Sequence, residues 1–367
     1  MSTSATISTP KPDRARAPGK VILSGEHAVV YGAPALVAAV ERYTEVWFTP
    51  VHRSGGLRTV FENLSQGQLY PLDVLKGFKQ GLDQRFEQFM RGEMPVQQIL
   101  QRPDDLAVYT MASLLQNLPV PGATATRHLP VPGQLHSRSD LPLGAGMGSS
   151  AAVIAATFVL YEHLLERPQT LQERFERVRF CERLQHGQGS SVDAAAVVFG
   201  GINRVQSGQI SQPDLAKDHP LWSGDSWYWV LHGAPASSTG ECVSAVRAQH
   251  GKDTQLWHAF ETCTQALQSA LETGTSPDEA LRENQRLLEK IGVVPAAAQR
   301  FVQSVNDLGG AAKICGAGAV RGDHAGVVLV HLDSPDAMER LMADYPDRRW
   351  EKLRIASQGA QLSGEAG

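Results

Sequence analysis

The chain has 367 residues, 42% of them hydrophobic and 20% charged, and a formal net charge of −4. That balance excludes a disordered or collagen-like chain and fits a soluble globular protein of about two domains. No lysine/arginine run is dense enough for a nucleic-acid or membrane footprint, so an anionic substrate needs a local positive site.

The N-terminus lacks the apolar segment of a secretory signal, and no uncharged apolar stretch reaches the roughly 18 residues of a membrane span. The four cysteines, Cys181, Cys242, Cys263 and Cys315, form no CxxC pair and fit neither a zinc knuckle nor a disulfide framework. A reducing, cytoplasmic compartment follows from that usage.

In chain order, residues 1–16 read as a loose Ser/Thr/Pro-rich tail. Val21–Leu23 reads as a buried strand, Ala35–Val40 as an apolar run and Glu45–Thr49 as another strand, with a further strand over Leu57–Leu64. Helical spacing follows over Pro71–Arg91 and Asp104–Leu118. Leu135–Ser139 is a strand that runs into a Gly-rich turn and a long apolar helix. Thr170 and Glu173 have capping-box spacing at the start of a helix to Gln185. Residues 202–226 are polar and rich in turn signals, and Trp227–Leu231 is a strand. Helices then start at Ser238, Asp253, Ser276-Pro277 and Pro295, and the last part alternates strand and helix over Gly326–His331, Pro335–Tyr345 and Lys352–Ala356. No internal repeat is present. The mixture predicts an α+β fold in two halves that meet near residues 195–230.

The most informative local feature is Gly144-Ala145-Gly146-Met147-Gly148-Ser149-Ser150. Three glycines in five residues let a backbone approach a ligand closely. A helix N-terminus with free N–H groups suits a polyphosphate, and a serine hydroxyl there can reach a Mg²⁺ on it. The same turn could simply pack and cap. The GxxxxGK[ST], GxGxxG and GxSxG patterns are all absent. Lys20 precedes a buried strand, which makes a placed positive charge plausible. Glu26 and His27 share one turn; a histidine there is more often structural than functional. Glu182 lies on a helix, where a carboxylate is ordinarily a solvated face. Asp193 is flanked by Val192 and Ala194–Val198, so its carboxylate needs a partner. Two carboxylates near a phosphate turn divide naturally into metal ligand and proton acceptor. His186, Ser190 and Asp193 invite a hydrolase triad, but near-neighbours in sequence rarely form one.

Together these segments resemble the GHMP kinase superfamily, and within it most closely the branch that phosphorylates mevalonate. The resemblance rests on Ala17–Gly32 (APGKVILSGEHAVVYG), Ser139–Ala152, Glu182–Asp193 and Ala311–Gly318 (AAKICGAG), with the stretch Asn284–Val293 in support. It implies a two-domain fold: an N-terminal ATP-binding domain over 17–225, similar to ribosomal protein S5 domain 2, and a ferredoxin-like C-terminal domain over 226–367. It implies that Asp193 takes the proton of the substrate hydroxyl and that Lys20 orients Asp193 and offsets phosphate charge. It implies Mg²⁺ on Ser150 and Glu182, phosphates in the cradle Gly144 to Ser150, and Ser139 near the nucleotide. Glu26, His27 and Thr239 would line the alcohol pocket. ATP and mevalonate are the implied ligands, and a homodimer the implied assembly. The same residues also suit a sister kinase acting on phosphomevalonate or a sugar, or a silent ligand sensor. The fourth motif departs from the family, with Cys315 where Thr is common and Val320 and Arg321 in place of further small residues.

Overall fold

The computed structural model describes residues 13–51, 55–62, 67–116, 132–142 and 144–363. Strand β1 (Arg14–Ser24) starts inside the stretch expected to be a tail; residues 1–12 lie outside the described residues. The reason is an alternation that reads as a strand: Ala15 and Ala17 are fully buried, while Arg14 lies over the Trp47 ring and Arg16 over the Tyr43 ring.

The apolar run and the strand expected across 35–49 are one strand, β2 (Ala35–Pro50). It pairs antiparallel with β1 along its length, and the register shifts between Pro18 and Gly19, opposite the polar stretch Glu41-Arg42 that interrupts the apolar pattern. Strand β3 (Gly56–Phe61) ends before the expected Leu64, and residues 63–66 lie outside the described residues. After the short β4 (Leu69–Pro71) come helices α1 (Leu72–Met90) and α2 (Asp105–Gln116); the end expected at Leu118 lies outside the described residues. Strand β5 (Gly133–Ser139) leads to α3 (Ser149–Leu164), α4 (Leu171–His186) and α5 (Ser191–Phe199). Thr170 and Glu173 form the expected capping box on α4. The polar connection is a hairpin of β6 (Ile202–Gln206) and β7 (Gln209–Ser211), followed by the one-turn α6 (Pro220–Ser223).

These strands form one sheet in the order β4-β3-β5-β2-β1, with β6 sharing the β5 edge of β2 and β7 beside β6; only the β3–β5 pair is parallel. Helix α3 is apolar on nearly every side, and it is buried from Ala151 to Glu162 save for Val153. It packs against β1, β2, α2, α4 and α5, so it forms the centre of this half.

The rest comprises β8 (Trp227–Gly233), α7 (Thr239–His250), α8 (Thr254–Thr273), α9 (Asp278–Lys290), α10 (Ala296–Asp307), β9 (Ala311–Cys315), β10 (Gly326–His331), α11 (Pro335–Ala343) and β11 (Trp350–Lys352). A second antiparallel sheet runs β11-β8-β10-β9, with α9 and α10 against β9. The chain then crosses back: β12 (Gln361–Leu362) pairs with β1 at Ala15 and Arg16 and completes the edge of the first sheet. The molecule is α+β, with two sheets and a shared interface.

Candidate active site

The site forms where β1, the glycine turn, α4 and α5 meet. Lys20 lies on β1, and its backbone N–H donates to the Met147 carbonyl at 2.9 Å, which ties the strand to the turn. Gly144, Gly146 and Gly148 all take left-handed φ values of 70°, 79° and 74°, while Ala145 and Met147 between them are buried as anchors. Gly148 is fixed twice over, since a Cβ there would stand 2.9 Å from Lys20 Cγ. Helix α3 begins directly after it with no side-chain cap, so its first N–H groups remain available to an anion.

Asp193 sits in the first turn of α5. Its backbone N–H donates to Ser190 Oγ at 3.1 Å, so Ser190 serves as the helix cap and not as a triad nucleophile. The Asp193 carboxylate meets Lys20 Nζ at 2.8 Å; their side chains are 16% and 5% exposed. Beside them Ser150 Oγ donates to Glu182 Oε1 at 3.0 Å. Glu182 is fully buried, and its Oε2 has no hydrogen-bond partner among the described residues. Burial, reinforced by the nearby negative charge of Asp193, pushes the Glu182 carboxyl well above the usual carboxylate range; the Ser150 hydroxyl and the Lys20 charge pull the other way. Four side chains distant in sequence therefore converge on one helix start.

The other expected site residues are placed as follows. Ser139 ends β5 with its hydroxyl 2.9 Å from Thr44 Oγ1 and 3.3 Å from the Leu141 amide, which it accepts. Ser149 is the half-buried first residue of α3. Thr239 is the exposed first residue of α7, without a side-chain bond to the four-residue cluster among the described residues. His27 is almost fully buried, its Nε2 3.1 Å from the Ala317 carbonyl, and burial lowers its pKa to about 4. Glu26, next to it, is a buried ion-pair partner. Its carboxylate pairs with Lys313 Nζ, and both side chains are fully buried.

Lys313 sits in the stretch AAKICGAG, and sequence assigns it no role. A lysine inside an otherwise apolar strand was the available signal. The unusual loop after it is anchored to α7 and not to the glycine turn. The Val320 N–H donates to Ser237 Oγ at 3.2 Å, and Arg321 pairs with Glu241 at 2.5 Å. Gly326, the first residue of β10, lies against the turn, where a Cβ would come within 3.1 Å of the Ala145 carbonyl. Cys315 is buried and its thiol pKa raised by desolvation, which makes it a packing residue.

Residues 108–201, which carry the glycine turn, Glu182 and Asp193, match the model of the GHMP kinase N-terminal domain. The mevalonate kinase of Arabidopsis thaliana is 25% identical over 389 aligned residues, covering 95% of this chain and 99% of that protein. The solved Methanococcus jannaschii mevalonate kinase superposes with a TM-score of 0.71 at 17% identity, covering 95% of this chain and 99% of that one. The L. major mevalonate kinase, solved in complex with R-mevalonate, gives 0.65 at 19% identity, with 94% of each chain covered. Fold and motif positions are thus similar to those of the GHMP kinases, whose N-terminal domain model matches residues 108–201. Along nearly its whole length the sequence is similar to mevalonate kinases.

Proposed function

We propose that the chain transfers the γ-phosphoryl group of ATP to the primary hydroxyl of mevalonate, giving 5-phosphomevalonate. The Lys20–Asp193 pair at the mouth of an uncapped, glycine-led helix is the observation that carries this reading. Mevalonate as the alcohol is supported by the relatives, which are mevalonate kinases along nearly their whole length.

Phosphoryl transfer needs in-line positioning and charge neutralisation more than covalent help. Asp193 accepts the proton of the attacking hydroxyl. Lys20 holds that carboxylate in place and presents its charge toward the transferring group. The backbone of Gly144–Ser150 and the start of α3 receive the phosphates. The donors present fit Mg²⁺: a serine hydroxyl and a carboxylate with an unpartnered buried oxygen are both hard oxygen ligands. Among the described residues no group of three or more His, Cys, Asp or Glu side chains forms a metal cage. That suits an ion that keeps waters and takes phosphate oxygens, held by Ser150 and Glu182. When bound, it supplies charge neutralisation at those oxygens. Ser139 stands on the nucleotide side of the cradle, and His27 and Thr239 on the alcohol side. The cleft runs between units 17–225 and 226–367. Four buried free cysteines suit a reducing compartment such as the cytoplasm.

A coupled ADP-release assay over a panel of small alcohols tests the reading. Turnover with mevalonate is expected. Turnover only with another alcohol would overturn the substrate, and ATP binding without any turnover would overturn the enzyme.

A further inference from the structure

Lys313 lies on β9 of the second sheet, and its side chain is fully buried. Its ammonium reaches three acceptors: the Ile22 carbonyl at 3.3 Å, the Ile314 carbonyl at 2.7 Å and the Glu26 carboxylate. An ammonium has three N–H donors, so none is left for a ligand. Two of these acceptors belong to the strand that carries Lys20 and to the turn after it, so the bonds bridge the two halves. Ile22 is two residues beyond Lys20 on β1, which puts the two on the same side of the strand. Glu26 immediately precedes His27, whose ring contacts Ala317 in the loop that leaves β9. Ser24 Oγ, 2.7 Å from Thr264 Oγ1 on α8, closes the same seam. By contrast, the phosphate turn is tied to β1 within the first half, through the Lys20 N–H bond to Met147.

We infer that Lys313 is a positioning residue for the alcohol side of the site. It clamps the turn Ser24–His27 and the Ala317 loop against each other, and it leaves the nucleotide cradle to its own bonds. This rests on the proposed kinase reading for its kinetic arm but not for its structural one.

The test compares Lys313→Met, Lys313→Arg and the double variant Lys313→Met/Glu26→Gln. Lys313→Met raises KM for mevalonate by about tenfold or more, while KM for ATP stays within about twofold. Amide hydrogen exchange speeds up over residues 24–32 and 311–318 but not over 144–152. Lys313→Arg, which keeps the charge, restores most of the mevalonate affinity. The double variant removes the unpaired buried carboxylate, so it regains thermal stability while the high KM for mevalonate persists. A double variant with wild-type KM overturns the inference, as does an equal rise in both KM values or unchanged exchange across the seam. If Lys313→Met does not fold, the arginine and double variants decide. If the wild-type chain shows no turnover of mevalonate, the kinase reading fails, and the exchange comparison still decides the clamp.

Discussion

Two lysine–carboxylate pairs draw on β1 and the turn after it, one within the first half and one between the halves, and they differ in what surrounds them. Lys20 and Asp193 meet at 2.8 Å with the carboxylate partly open to solvent, beside an uncapped helix start. Lys313 and Glu26 are sealed, with every ammonium proton committed. A pair with access and spare hydrogen-bonding capacity can take part in a reaction, because substrate can reach it and a proton can leave. A saturated pair can only hold. The same two residue types thus serve chemistry in one place and geometry in the other, and burial decides which.

Substitutions can break this contrast. The largest effect is expected from Asp193→Ala, which should lower kcat by about 10²- to 10⁴-fold with little change in melting temperature. Steady-state kinetics and thermal unfolding check both halves of that statement, and near-wild-type turnover would remove Asp193 from the mechanism. Lys313→Met should do the reverse in stability, costing about 3–5 kcal/mol in denaturant unfolding because Glu26 is left charged and unpaired in the interior.

Acid should weaken the sealed side next. His27, beside Glu26, has its pKa lowered to about 4 from 6.5 by burial. Between those values the unfolded chain binds the proton and the folded chain does not. Stability is therefore fully present above pH 6.5 and is lost as pH falls toward 4, by about 3 kcal/mol at most. Urea unfolding from pH 7 to pH 4 should show that slope, and His27→Gln should flatten it; an identical slope in the variant would refute the assignment.

On the open side, Glu182→Gln should raise the Mg²⁺ concentration needed for half-maximal activity by about 10- to 100-fold, read from a metal titration at saturating ATP. The smallest effect belongs to Arg321→Ala. Its pair with Glu241 is exposed at both ends, so unfolding should shift by less than about 1 kcal/mol.

Most of the open side was legible in sequence, because its signals are local. Three glycines before two serines, a lysine ahead of a buried strand and an aspartate in an apolar helix each break a local rule. The sealed side was not legible in the same way. Glu26 and Lys313 stand 287 residues apart, and nothing near Glu26 announces that it is buried. The fold shows the same division. Helix α3 followed from an apolar run behind the glycine turn, and the Thr170 cap from spacing. The long β2 did not, because Glu41 and Arg42 interrupt its apolar pattern where the partner strand shifts register. Residues 14–16 looked like tail, since alternation over so few positions carries little weight beside two arginines.

The return of β12 to the first sheet has a consequence for assembly. The Ser363 amide donates to the Arg14 carbonyl at 2.7 Å, so the first residues of the strand bearing Lys20 gain their outer neighbour from residues 361–363, while Ile355 bridges Val40 on β2. During synthesis the ribosome must release residues 355–363 before that flank can close. The half made first thus waits for residues made after the second sheet, and a nascent chain halted short of them would present an unpaired edge at the start of the strand that carries Lys20.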